Sequence, residues 1–85
     1  MKIFVTGVNG FIGSHFLEMA LAQTDWEIQG FDLADNNITQ FLDNPRFSMK
    51  KGDIFKEEAW LNEQIKECDV LFVHFGHSNL ILNKI

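Results

Sequence analysis

Three glycines stand three residues apart in the stretch TGVNGFIGSH, directly after the apolar run Ile-Phe-Val near the start of the 85-residue chain. Gly7, after a strand, allows a sharp turn, Gly10 leaves room for a phosphate beside the backbone, and Gly13 allows the following helix to pack closely on a sheet. The N-terminus of that helix offers the N–H groups of Phe11 and Ile12, and the positive end of the helix dipole, to phosphate oxygens. The spacing therefore predicts a pyrophosphate site. The alternative is a glycine-rich turn that only joins a strand to a helix.

A carboxylate follows nineteen residues after the last of these glycines, where Asp32 ends a second apolar run. A carboxylate in this place accepts hydrogen bonds from the hydroxyls of an adenosine ribose and repels a 2′-phosphate. Leu33 and Ala34 come next, without an Arg or Lys that would bind such a phosphate. The combination predicts NAD as the ligand, in preference to NADP.

A second candidate for contact with the nucleotide is the stretch Gly52-Asp53-Ile54, which follows a third apolar segment. In a doubly wound sheet this loop also opens at the carboxyl edge, where ligands bind. Asp53 is then placed to accept from the adenine amino group, while the N–H of Ile54 donates to the ring. In the alternative interpretation Asp53 only caps the helix that follows, and the sequence does not decide between the two.

The histidines and the single cysteine do not predict a reactive site. A zinc site needs three or four converging ligands, whereas His15 lies far along the chain from His74 and His77, which flank a strand end. Cys68 has no neighbouring base that would activate its thiol. We expect it to be buried near the end of a helix.

Segments of strand and helix periodicity alternate along the chain. Strands are predicted at Lys2–Thr6, Glu27–Asp32, 47–50 and Val70–Phe75, and helices at 11–22, 37–43 and 57–67. In the second helix Ile38, Phe41 and Leu42 are expected to face inward. The alternation predicts an α/β fold, a truncated Rossmann-type parallel sheet of about four strands in the order 3-2-1-4 with flanking helices. Residues 1–85 form one domain in this prediction, with an atypical tail at 76–85.

Charge and composition exclude several classes of partner. Seven Lys and Arg against twelve Asp and Glu give a net charge of −5. Such a chain lacks the basic surface that binding to nucleic acid or to an anionic membrane requires. One cysteine cannot form an internal disulfide, which fits a reducing compartment. With no apolar segment long enough to span a bilayer, the sequence predicts a cytoplasmic protein.

The motifs TGVNGFIGSH, GFDL and KGDI resemble the start of an extended short-chain dehydrogenase/reductase, in the NAD-dependent epimerase/dehydratase family. The segment ITQFLDNPRFSMKKGDI, with the following Trp and ECDVL, is most similar to the UDP-glucuronate decarboxylase branch of that family. The resemblance covers residues 2 to about 71, and after Phe75 the tail departs from the small apolar residues that are usual there. It implies that NAD would be contacted by Gly7, Gly10, Phe11, Ile12, Gly13, Asp32, Asp53 and Ile54.

The resemblance also implies chemistry that this chain cannot complete. Members of the family are a few times longer and act on nucleotide sugars through a Tyr-x-x-x-Lys pair, with NAD⁺ taking a hydride transiently. The sequence contains no tyrosine, so no catalytic residue is assigned. We expect a nucleotide-binding module without turnover of its own. Two alternatives are an interaction or oligomerisation protein that keeps the fold without binding nucleotide, and one piece of a split enzyme.

The last predicted strand, Val70–Phe75, would lie at an open edge of such a half sheet. Unpaired backbone groups at an apolar edge are a template for pairing with another chain. The tail NLILNKI is itself apolar and is able to cover that edge in its own molecule or in a neighbouring one. We therefore expect a homodimer, or a higher oligomer, that associates through the segment Val70–Ile85.

Overall fold

A five-stranded sheet forms the centre of the structure, a computed structural model that describes residues 1–75 and 78–83. The strands are β1 (Lys2–Thr6), β2 (Glu27–Asp32), β3 (Phe47–Lys51), β4 (Val70–Phe75) and β5 (Ser78–Asn83), and the helices are α1 (Phe11–Gln23) and α2 (Glu58–Glu67). The strand order is β3-β2-β1-β4-β5. The first four strands are parallel, which confirms the predicted α/β fold and the order 3-2-1-4.

The central strand, β1, is almost completely buried. Its residues Ile3, Phe4 and Val5 are at most 1% exposed, as expected for a strand that has a neighbour on each side and is covered on both faces. Thr6, its last residue, is in register with Phe31 of β2. The carboxyl ends of neighbouring strands therefore meet at one edge of the sheet.

Alternate strand residues point to opposite faces of the sheet, so β1 presents apolar side chains on both faces. One helix covers each face. On one face Ile3 and Val5 pack with Leu17 and Ala20 of α1. On the other face Phe4 packs with residues of the α2 side. These residues are Phe31, Leu61, Cys68 and Leu71. Cys68 is buried at the end of α2, as the sequence predicts.

The prediction of a helix at 37–43 is wrong. This segment forms only a 3₁₀ turn, Thr39–Phe41. Ile38 is fully buried and Phe41 partly so, as predicted, but Leu42 is exposed. Seven residues are too few for a stable helix without tertiary support, and the residue before Pro45 is biased away from the helical region.

The tail was predicted as atypical, and its described part forms β5, which pairs antiparallel with β4 from Val70↔Asn83 to Phe75↔Ser78. The edge of β4 is therefore not open, because β5 covers it within the same chain, which is one of the two arrangements that the sequence allowed. Of the predicted tail, Gly76, His77, Lys84 and Ile85 lie outside the described residues.

Candidate functional site

A cavity of about 210 Å³ opens at the carboxyl edge of β1, β2 and β3. It is lined by Thr6, Gly7, Phe31, Asp32, Leu33, Gly52, Asp53, Ile54 and Phe55. The residues come from the ends of these strands and the loops that follow them, because parallel strands bring their carboxyl ends to one edge. Of the predicted contact residues, the structure brings together Gly7, Asp32, Asp53 and Ile54 in this lining. The other four lie in the turn and the first helix beside it.

The glycine turn enters α1 directly from β1. Gly7 has a φ of 70°, a left-handed conformation that strongly favours glycine, and its N–H donates to the carbonyl oxygen of Phe31 at 2.9 Å. Gly10 precedes α1 and supplies no side-chain cap to the helix. Among the described residues of the first turn of α1 there is no acid. The positive end of this helix is therefore not neutralised by its own first turn, where Phe11 and Ile12 are exposed.

Gly13 is the point of closest approach between α1 and the turn. A Cβ atom placed there would clash with the carbonyl oxygen of Gly7 and would lie 2.8 Å from the Cα atom of Val8. Real Cβ atoms essentially never approach other heavy atoms so closely. The third glycine is therefore required by close helix packing, as the motif predicts.

The Asp32 carboxylate is held in place at the cavity by two backbone donors. Its Oδ2 accepts from the N–H of Asn9 at 3.0 Å, and its Oδ1 accepts from the N–H of Leu33 at 2.7 Å. The carboxylate thus joins the glycine turn to the end of β2. Each oxygen still has a lone pair for a further donor.

Asp53 both stabilises a turn and lines the cavity. Its Oδ1 accepts from the N–H of Phe55 at 2.9 Å, and its carbonyl oxygen accepts from the N–H of Lys56 at 2.9 Å. These bonds close a turn at 53–56. Helix α2 begins later, at Glu58, so the carboxylate caps this turn and does not cap α2 as the alternative interpretation supposed.

Three asparagines that the sequence did not single out connect the two sides of the site. The side-chain Oδ1 of Asn9 accepts from the N–H of Asn37 at 2.8 Å, and its Nδ2 donates to Oδ1 of Asn36 at 3.1 Å. The Nδ2 of Asn37 donates back to the carbonyl oxygen of Asn9 at 3.0 Å. The pair Asn36-Asn37 is a turn signal, but nothing local indicates that it binds a residue 28 positions earlier.

The remaining polar residues near the site have local roles. The Thr6 hydroxyl, in the lining, is buried without a hydrogen-bond partner among the described residues. His15 places Nδ1 2.7 Å from the carbonyl oxygen of Phe11, one helical turn earlier.

Within residues 1–75 and 78–83 no three His, Cys, Asp or Glu side chains are grouped as metal ligands. In the same part of the chain, neither helix has the length and hydropathy needed to cross a bilayer.

Comparison with known proteins places this chain in a family. The sequence model of the NAD dependent epimerase/dehydratase family matches residues 3–80. The chain therefore belongs to the NAD-dependent epimerase/dehydratase family, as the glycine motif and the strand-end acid predicted.

Solved structures with similar folds include members of sugar-modifying classes. The PbgP3 protein of Burkholderia pseudomallei is 35% identical, with a TM-score of 0.80 over 85% of this chain and 22% of its own. A dTDP-glucose 4,6-dehydratase of Bacillus anthracis in complex with NAD is 34% identical, with a TM-score of 0.73 over 88% of this chain and 26% of its own. A UDP-glucuronic acid 4-epimerase of Bacillus cereus, in complex with UDP-glucuronic acid and NAD, is 32% identical. Its TM-score is 0.74 over 86% of this chain and 26% of its own. The chain thus spans about a quarter of the length of these proteins.

Proposed function

We propose that the chain binds NAD through the adenosine and pyrophosphate parts of the cofactor. The observation that carries the proposal is the cavity in which the glycine turn and the carboxylates of Asp32 and Asp53 converge at one edge of the sheet. The dehydratase and the 4-epimerase with similar folds were both solved as complexes with NAD. Family membership supports the same cofactor here.

Each part of the nucleotide has a matching group in this site. The Asp32 carboxylate accepts from the ribose hydroxyls with the lone pairs that Asn9 and Leu33 leave free. The pyrophosphate lies at the N-terminus of α1, where backbone N–H groups and the helix dipole favour an anion. The adenine ring enters between apolar walls, which include Phe31 and Ile54, with Asp53 as an acceptor for its amino group.

The proposal is tested by calorimetric titration with NAD, NADP and ADP-ribose. We expect NAD to bind more tightly than NADP, because Asp32 repels a 2′-phosphate. Asp32→Ala should weaken NAD binding by roughly tenfold, which corresponds to the loss of a hydrogen bond to a charged group, while NADP loses less. Asp25→Ala is the matched control, since it removes an exposed carboxylate between α1 and β2, away from the cavity lining. Equal affinity of the parent protein for NAD and NADP would contradict the role of Asp32.

We further propose that, within the family, the sequence is most similar to the UDP-glucuronate decarboxylase branch. We also propose that the chain does not catalyse a reaction alone. The chain has no tyrosine to act as the acid and base of a Tyr-x-x-x-Lys pair. Incubation with UDP-glucuronate and NAD⁺ should therefore give no NADH and no new nucleotide sugar by chromatography. Turnover that is abolished by Gly10→Glu would show that this expectation is wrong.

A further inference from the structure

A cationic residue, Lys51, stands opposite Asp32 on the neighbouring strand, although the residues that directly follow Asp32 include no Lys or Arg. Lys51, the last residue of β3, is in register with Asp32, and the N–H of Gly52 donates to the carbonyl oxygen of Asp32 at 3.0 Å. Neighbouring strands are about 4.8 Å apart, and residues in register on parallel strands point to the same face. Lys51 and Asp32 therefore share one face at the edge where the cavity opens.

Lys51 is already engaged by another acid. Its Nζ lies 3.8 Å from Oδ2 of Asp35, which is three residues beyond Asp32. The Asp35 side chain is 27% exposed and the Lys51 side chain 59% exposed. The segment that carries Asp35 is fixed, because Asn37 is bound to Asn9 and the N–H of Ile38 donates to the carbonyl oxygen of Asp35. The acid is thus the fixed partner, and the lysine is the long, flexible one.

We propose that Asp35 is a second determinant of cofactor choice, because it withholds Lys51 from a 2′-phosphate. This inference rests on the proposed binding of NAD with its ribose at Asp32. A 2′-phosphate would emerge beside that carboxylate and needs a cation to offset the repulsion. Lys51 is that cation by its place in the register, and Asp35 neutralises its charge. Selectivity for NAD then comes from both acids.

The test is the ratio of NAD to NADP affinity, measured by calorimetry at low ionic strength, where exposed charges are least screened. Asp35→Asn frees Lys51, so the preference for NAD should fall by about fivefold, the scale of a favourable exposed ion pair. NAD affinity itself should stay close to that of the parent. In the double variant Asp35→Asn with Lys51→Gln, the gain in NADP binding should be lost.

Glu57→Gln is the matched control. Glu57 pairs with Lys50 at 3.9 Å, and Lys50 points to the opposite face of the sheet, over the ring of Trp60. The substitution changes net charge by the same amount as Asp35→Asn, and the affinity ratio should not move. Asp35→Ser provides a second test of the same position, and circular dichroism checks the folding of each variant.

Two results would overturn the inference without touching the proposed function. One is NAD binding by the parent with an unchanged affinity ratio in both Asp35 variants. The other is an equal shift in Asp35→Asn, the double variant and Glu57→Gln, since that would be an effect of net charge alone. Failure of the parent protein to bind NAD would overturn the proposed function and this inference together.

Discussion

Asn9 is a buried residue, 9% exposed, that holds the glycine turn against the segment that follows β2. Both ends of its side-chain amide are used, with Oδ1 as acceptor and Nδ2 as donor, and its backbone N–H binds Asp32. A buried amide is stable only while its hydrogen bonds are made. Asn9 therefore fixes the distance between two sides of the proposed NAD site.

We predict that Asn9→Ala lowers the free energy of unfolding by about 1–3 kcal/mol, because it leaves the N–H of Asn37 without its acceptor. The segment 33–38 should loosen, and the Asn37 amide should exchange its proton faster in hydrogen-exchange measurements by NMR. Urea denaturation gives the stability. Asn62→Ala, at an exposed position of α2, serves as the control and should have little effect. Unchanged protection of the Asn37 amide in Asn9→Ala would argue against this role.

The residues of the site could be predicted from the sequence where one short stretch contains the whole motif. Gly7, Gly10 and Gly13 follow one another at fixed spacing after a strand, and Asp32 ends the next strand, so a short stretch of sequence contains each signal. Asn9 and Lys51 gave no such signal. Their partners are set by the approach of loops and strands that are far apart in sequence, and only the folded chain shows these pairs.

Elements were predictable where hydrophobic periodicity extends over a whole helix or strand. Helix α2 shows this most clearly, since Leu61 and Cys68 are buried and Trp60, Gln64 and Ile65 are partly buried, as the pattern predicts. The predicted first and last strands coincide with β1 and β4. These elements carry enough apolar residues on one face for packing to agree with propensity.

The segment between β2 and β3 was mispredicted because tertiary contacts decide its shape. Asn37 is bound to Asn9 by both its N–H and its side chain, which holds the start of the segment away from a helix. Its far end is held by Arg46, whose guanidinium donates to the carbonyl oxygens of Leu21 in α1 and of Thr24 and Trp26 just after that helix. A segment fixed at both ends has only one short 3₁₀ turn between them.

At the scale of the whole molecule, the two outer strands of the sheet differ in charge. The sequence of β3, FSMKK, ends in two lysines, whereas that of β5, SNLILN, has no charged residue. Lysines on an edge strand discourage pairing with another chain, and an uncharged apolar edge favours it. A chain of 85 residues also has little stability of its own, so burial of this edge by association is favourable.

We therefore predict a homodimer, or a higher oligomer, that pairs through β5. Light scattering coupled to size exclusion should give a mass above that of the 9.8 kDa chain. Ile81→Lys places a charge in β5 and should shift the protein toward monomer. Ser48→Lys, at an exposed position of the opposite edge strand, is the control and should leave the mass unchanged. A monomer at high concentration would contradict the prediction.

The position of β1 in the middle of the sheet has a consequence for how the chain acquires its fold. Ile3 is in register with Ile28 on one side and with Val70 on the other. The pairing of β1 with β4 closes a loop over most of the chain. The conformational entropy lost in closing this loop must be overcome before contacts across it can stabilise the fold. During synthesis, β1 therefore gains β2 as its first neighbour early. It keeps its other side open to foreign chains until β4 has been made.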